Sequence, residues 1–126
     1  MIERLVVSNL SERFPLKPQL EDLRYKSGSL EFVFSSIIDN SSNKLKVVFD
    51  WVHSFRVTDE GDLLKMLYEQ KGLMLTSIYV VENSKYLEWF NEQSEHIHDD
   101  VVHYIFSTVE DVIDVLSSVK PSLEAM

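Results

Sequence analysis

Leu30-Glu31-Phe32-Val33-Phe34-Ser35-Ser36-Ile37 and Leu45-Lys46-Val47-Val48-Phe49-Asp50-Trp51-Val52-His53-Ser54-Phe55-Arg56-Val57 decide the fold of this chain. In the first block Leu30, Phe32, Phe34 and Ser36 alternate with Glu31, Val33, Ser35 and Ile37, the period-2 pattern of a strand. In the second, Leu45, Val47, Phe49, Trp51, His53, Phe55 and Val57 share one face of a long strand, nearly all apolar or aromatic. The other face holds Lys44, Lys46, Val48, Asp50, Val52, Ser54 and Arg56, a mixed set that predicts partial cover or a bulge along its length. Asp39-Asn40-Ser41-Ser42-Asn43 between the blocks is a polar loop of hairpin length, so the two strands are expected to pair.

Downstream the period changes. Asp59, with Asp62 three residues on, caps a predicted helix from about Glu60 to Lys71, with Leu63, Leu64, Leu67 and Tyr68 at helical spacing and Gly72 as its stop. Residues 73–81 return to strand character, and Glu82-Asn83-Ser84 caps a second helix that ends near Ser94, with Tyr86, Leu87 and Phe90 toward the sheet. A polar connection, Glu95 to Asp100, precedes a strand over 101–107. Residues 109–119 admit two readings: Val109, Val112, Ile113 and Leu116 are spaced for a helix, with Thr108 and Asp111 as a capping pair. The β-branched run Val112-Ile113-Asp114-Val115 suits a strand paired with the preceding one. Helix is the expectation kept, ended by Pro121. Residues 1–28 are least regular: Pro15 and Pro18 bracket a bend, and Leu20, Leu23 and Tyr25 fit a short helix or an edge strand. The order β-β-α-β-α-β predicts one α+β domain over residues 1–126, a mainly antiparallel sheet with two or three helices packed on it.

Composition narrows the classes. With 44% hydrophobic residues and only three Gly and three Pro, the chain is an ordinary globular one, not a disordered or low-complexity tract. It has no cysteine, which excludes disulfides and thiolate metal sites. No apolar run approaches the ~20 residues of a membrane helix, and Leu5-Val6-Val7 is too short for a signal sequence, so a cytoplasmic location is expected. The net charge of −9 is uneven: residues 1–46 carry +1 and residues 47–126 carry −10. Such a surface repels nucleic acid and anionic membrane and attracts basic partners.

His96-x-His98-Asp99-Asp100 has the donor types of a zinc site, but a solvated loop is the expectation and no metal or cofactor is assigned. No nucleophile elbow, phosphate loop or metalloprotease motif is present, so no catalytic residue is assigned either. His53 is read as a hydrogen-bonded histidine beside Trp51 and Phe55. Arg56, Asp59, Glu60 and Asp62 gather charge where a strand hands over to a helix, which favours the helix dipole. The functional reading joins Asp59, Glu60 and Asp62 to Glu95, Asp99, Asp100, Glu110, Asp111 and Asp114 as a patch that meets Lys and Arg of a partner. Trp89 falls about 100° off the Tyr86, Leu87 and Phe90 stripe, which makes it the candidate apolar anchor.

The blocks Phe49-Asp50-Trp51-Val52-His53-Ser54-Phe55-Arg56, Asp59-Glu60-Gly61-Asp62, Tyr86-Leu87-Glu88-Trp89-Phe90 and His103-Tyr104 resemble those of small bacterial immunity proteins of toxin loci, including contact-dependent growth inhibition. The likeness covers about the C-terminal two-thirds. It implies a cytosolic, non-enzymatic protein that binds a basic toxin domain, often a nuclease, and blocks its active site or substrate groove. The alternative is a small metal- or ligand-binding enzyme with a site near His53, Arg56, His96, His98 and His103. A third reading is a structural homo-oligomer.

Overall fold

Leu30, Phe32 and Phe34 are fully buried, and so are Val47 and Phe49 opposite them, so the alternating block does have one face in a core. The computed structural model describes residues 2–14, 17–38, 41–70 and 76–126. Its strands are β1 (Arg4–Val7), β2 (Gln19–Lys26), β3 (Ser29–Ile38), β4 (Ser41–Phe49), β5 (Ser54–Asp59), β6 (Ile78–Glu82), β7 (Val102–Ser107), β8 (Asp111–Ser117) and β9 (Ser122–Ala125). Two helices, α1 (Leu64–Glu69) and α2 (Lys85–Gln93), and two 3₁₀ turns, Asn9–Arg13 and Glu60–Asp62, complete the described elements. No helix is long and apolar enough to cross a membrane among the described residues.

The strands form two antiparallel sheets, one in the order β1-β6-β7-β8-β5 and one in the order β2-β3-β4-β9. Their inner faces share a core in which Phe32, Phe34 and Phe49 meet Tyr104, Phe106, Ile113 and Val115. Ring contacts bridge the layers, Phe32 to Phe106 at 4.8 Å and Phe49 to Tyr104 at 5.5 Å between centroids. Helices lie on the outer face of the five-stranded sheet. Leu63, Met66 and Leu67 at α1 pack on Tyr79, Val81, Ile105 and Val112, and Tyr86 of α2 meets His103. The protein is therefore α+β and mostly antiparallel, with more sheet and less helix than the sequence reading gave it.

Two expectations are corrected. Residues 109–119 are not a helix: Thr108 to Asp111 is a tight hairpin turn, closed by Thr108 N–H donating to the Asp111 carbonyl at 2.8 Å, and β8 pairs with β7 and β5. The supposed capping pair is real as a hydrogen bond, Asp111 N–H to Thr108 Oγ1 at 2.9 Å, but it braces the hairpin. Because β8 is covered on both faces, Val112 to Ser117 are all buried and no period-2 signal survives. The long strand over 45–57 is also two strands. The chain leaves the four-stranded sheet after Phe49 and joins the five-stranded one at Ser54, with Val52 buried in the core between them.

This crossover leans on Gly28. Val52 N–H donates to the Gly28 carbonyl at 2.9 Å, and His53 N–H to the Leu116 carbonyl at 2.8 Å. Gly28 has φ +87°, and a Cβ there would lie 2.2 Å from the Trp51 ring. Gly28→Ala is expected to lower stability by roughly 1–3 kcal/mol, through left-handed backbone strain and displacement of Trp51. A chemical denaturation midpoint unchanged from wild type contradicts this.

The first predicted helix is shorter than expected: Asp59 caps the 3₁₀ turn by accepting Gly61 N–H at 2.8 Å, and α1 follows. Its expected stop at Gly72, the start of the strand placed over 73–81, the Pro15 half of the N-terminal bend and Asp39-Asn40 of the hairpin loop lie outside the described residues, whereas Ser41, Ser42 and Asn43, expected in that loop, are instead the first residues of β4, paired with Ile38, Ile37 and Ser36. The second helix ends at Gln93 with Ser84 as its cap, as the sequence reading placed it. Leu20, Leu23 and Tyr25 fall on a strand, β2, at a sheet edge.

Candidate functional site

Three adjacent strands of the five-stranded sheet, β5, β8 and β7, bring Arg56, Asp114 and His103 together under α2. Arg56 and Asp114 are direct cross-strand partners. Asp114, only 3% exposed, accepts from Arg56 Nε at Oδ2 (3.0 Å) and contacts His103 Nε2 at Oδ1 (2.7 Å). The other imidazole nitrogen, Nδ1, lies 2.6 Å from Ser84 Oγ. A neutral His103 satisfies both contacts when Nε2–H donates to Asp114 and Nδ1 accepts the Ser84 hydroxyl proton. Ser84 Oγ also accepts Leu87 N–H at 2.9 Å, which makes it the N-cap of α2. The line therefore fastens the helix to the sheet through side chains alone.

Tyr86 roofs this line. Its ring meets His103 edge-on at 5.5 Å, carries the Arg56 guanidinium 4.2 Å from its centroid and bonds Ser54 through its hydroxyl. Burial pushes the Tyr86 phenol upward, partly offset by Ser54 and Arg56. Trp89 stacks on Tyr86 at 5.9 Å and remains 51% exposed.

A second group forms where the crossover meets the connection from α2 to β7. His53 and His98 have ring centroids 4.7 Å apart, Phe90 stacks on His98 at 5.8 Å and meets His53 at 5.4 Å, and Trp51 meets His53 edge-on. Burial first, then the neighbouring His98, pushes the His53 imidazole downward, against the pull of Asp100. His53 Nε2 lies 3.2 Å from Ser118 Oγ. Trp51 and Ile97 expose much of their surface beside this group. Glu95 and His96, at the exit of α2, both have positive φ, 53° and 57°, a left-handed C-terminal turn made without glycine.

The acids gather in two places. Asp59 and Asp111 are cross-strand partners and Glu60 N–H donates to the Glu110 carbonyl at 2.8 Å, so Asp59, Glu60, Asp62, Glu110 and Asp111 sit at one end of the sheet. Glu60 is paired there with Lys17 at 3.0 Å. Glu95, Asp99 and Asp100 sit at the other end, about 20 Å away along β7. Asp114 belongs to neither group, being buried against Arg56 and His103. The histidines also divide: His96 lines an open groove along α2 with Leu87 and Asn91, His53 and His98 pair at the crossover, and His103 is buried. Among the described residues no three His, Asp or Glu side chains converge on a metal position.

Sequence reasoning missed Ser84, His103 and Asp114 as a unit. Ser84 was visible only as a cap, and the one signal available was an aspartate, Asp114, inside an otherwise apolar run. No protein-family model, no curated protein and no solved structure matches this chain.

Proposed function

We propose that the protein binds a basic protein partner and neutralises it, as an immunity protein does its toxin, by setting carboxylates against a cationic groove. One observation carries the reading: Glu95, Asp99 and Asp100 have no Lys or Arg within ion-pair distance among the described residues, and they adjoin the exposed Trp51, Ile97 and α2 surface. Unpaired acids beside exposed aromatics supply the two ingredients of a tight interface, a charged rim that steers and an apolar centre that holds. Trp89 is the anchor, because it is large and half-exposed and its ring is already fixed by Tyr86, so little rotamer freedom is lost on docking. The partner is a toxin domain with a basic groove, such as a nuclease, and the protein acts in the cytoplasm.

The test is calorimetric titration against the basic protein encoded in the adjacent reading frame. Trp89→Ala is expected to weaken binding by about thirtyfold or more. Asp99→Asn with Asp100→Asn is expected to slow association and flatten its salt dependence. Affinity that stays constant from low to high salt rules out the electrostatic mechanism.

A further inference from the structure

We propose that Ser84 is a nucleophile activated by His103, and that the protein hydrolyses small carboxylic esters in the groove beside α2. The inference goes beyond partner binding and does not depend on it, since Ser84 stands at the opposite end of α2 from Glu95.

The contacts are those of an activated hydroxyl: Ser84 Oγ is 2.6 Å from His103 Nδ1, and the far nitrogen is held at 2.7 Å by Asp114. Arg56 fixes the second oxygen of that carboxylate, and burial of His103 holds its ring in place between the two partners. Capping does not use up the serine. A hydroxyl has one proton and two lone pairs; the proton faces Nδ1 and one lone pair takes Leu87 N–H, which leaves the other for attack.

Ser84 is not buried like its partners. It lines an open groove of about 600 Å³ that runs along α2 past Leu87 and Asn91 to His96. The first turn of α2 also offers amides for a developing oxyanion. Lys85 N–H already donates to a carboxylate, Glu3 Oε2 at 2.8 Å, and Tyr86 N–H has no partner among the described residues. A negative oxygen is thus accommodated one residue from the nucleophile, and because the Lys85–Glu3 bond lies at the surface a substrate oxygen can take the place of Glu3.

In the reaction, Ser84 Oγ forms a bond to the ester carbonyl carbon as its proton passes to His103 Nδ1. The C–O bond to the alcohol then breaks and His103 returns that proton to the leaving oxygen. Water repeats the sequence on the acyl-serine, releasing the acid and restoring the hydroxyl.

The full chain is incubated with 4-nitrophenyl acetate and, separately, with a fluorophosphonate probe, and adducts are mapped by mass spectrometry. The expected result is a single adduct on Ser84 and a burst of 4-nitrophenol equal to the protein present. Ser84→Asn retains a capping side chain and is expected to fold and to lose both signals. His103→Gln is expected to slow acylation at least about a hundredfold. Absence of an adduct on Ser84, a folded Ser84→Asn protein as active as wild type, or a folded His103→Gln protein that acylates as fast as wild type overturns the proposal.

Discussion

Asp114→Ala is expected to be the most damaging polar substitution, lowering unfolding free energy by about 3–5 kcal/mol. Asp114 is buried and holds two groups, the Arg56 guanidinium and the His103 imidazole. Arg56 is half-exposed and turns to water when its partner goes. His103 has no such exit, and its Nε2–H is left in an apolar layer under α2. The loss therefore comes mainly from the stranded histidine. A double variant, His103→Phe with Asp114→Val, separates the two ideas, because it removes both partners and strands neither. It is expected to be more stable than Asp114→Ala alone, by thermal or urea unfolding. If the double variant is the weaker one, the pair contributes net stability of its own.

Phe106→Ala is expected to cost a similar 3–5 kcal/mol for a different reason. Phe106 is fully buried at the centre of the sandwich, with Phe32, Phe49 and Phe34 around it at 4.8, 5.8 and 6.2 Å between ring centroids. These rings belong to both sheets, so the space left by the deletion lies on the seam where the layers meet. Neither sheet can close it without moving as a whole, and a cavity that cannot collapse is the costly kind. Phe106→Leu, which leaves most of the volume filled, is expected to lose much less. Urea unfolding with an unchanged m-value measures both, and a Phe106→Ala loss near that of Phe106→Leu refutes the seam argument.

What could be read from the sequence follows from which faces are wet. β3 and β4 have one face in the core and one half-covered, so Leu30, Phe32 and Phe34 alternate with polar or smaller residues and the strand was plain. β8 is dry on both sides, and its unbroken Val112-Ile113-Asp114-Val115-Leu116 fits a helix stripe as easily as a strand. The crossover was partly foreseen as irregularity along 45–57, but alternation continues through Trp51 and His53 although the chain changes sheets there. α2 was legible because Ser84, Tyr86, Leu87 and Phe90 carry a cap and a stripe together. The candidate sites were far less so. Ser84, His103 and Asp114 come from an α-helix cap and two strands, and only the pairing of β7 with β8 under α2 makes them neighbours. The acidic residues show the converse: runs of one sign are obvious in the chain, yet strand direction carries Asp59 and Asp99 to opposite ends and folds Asp114 inside.

The order of strands within the two sheets also sets an order of assembly. β2, β3 and β4 form a meander of consecutive hairpins, and β7 and β8 another, so each can form while the rest of the chain is unstructured. β1 and β9 are different, because Arg4 must find Glu82 and Leu123 must find Val47, each closing a long loop for a short strand of four residues. Native-state hydrogen exchange is expected to show the amides of β1 and β9 opening at the lowest free energy, well before those of β7 and β8. Both chain ends are then the latest pieces to dock and the first to let go.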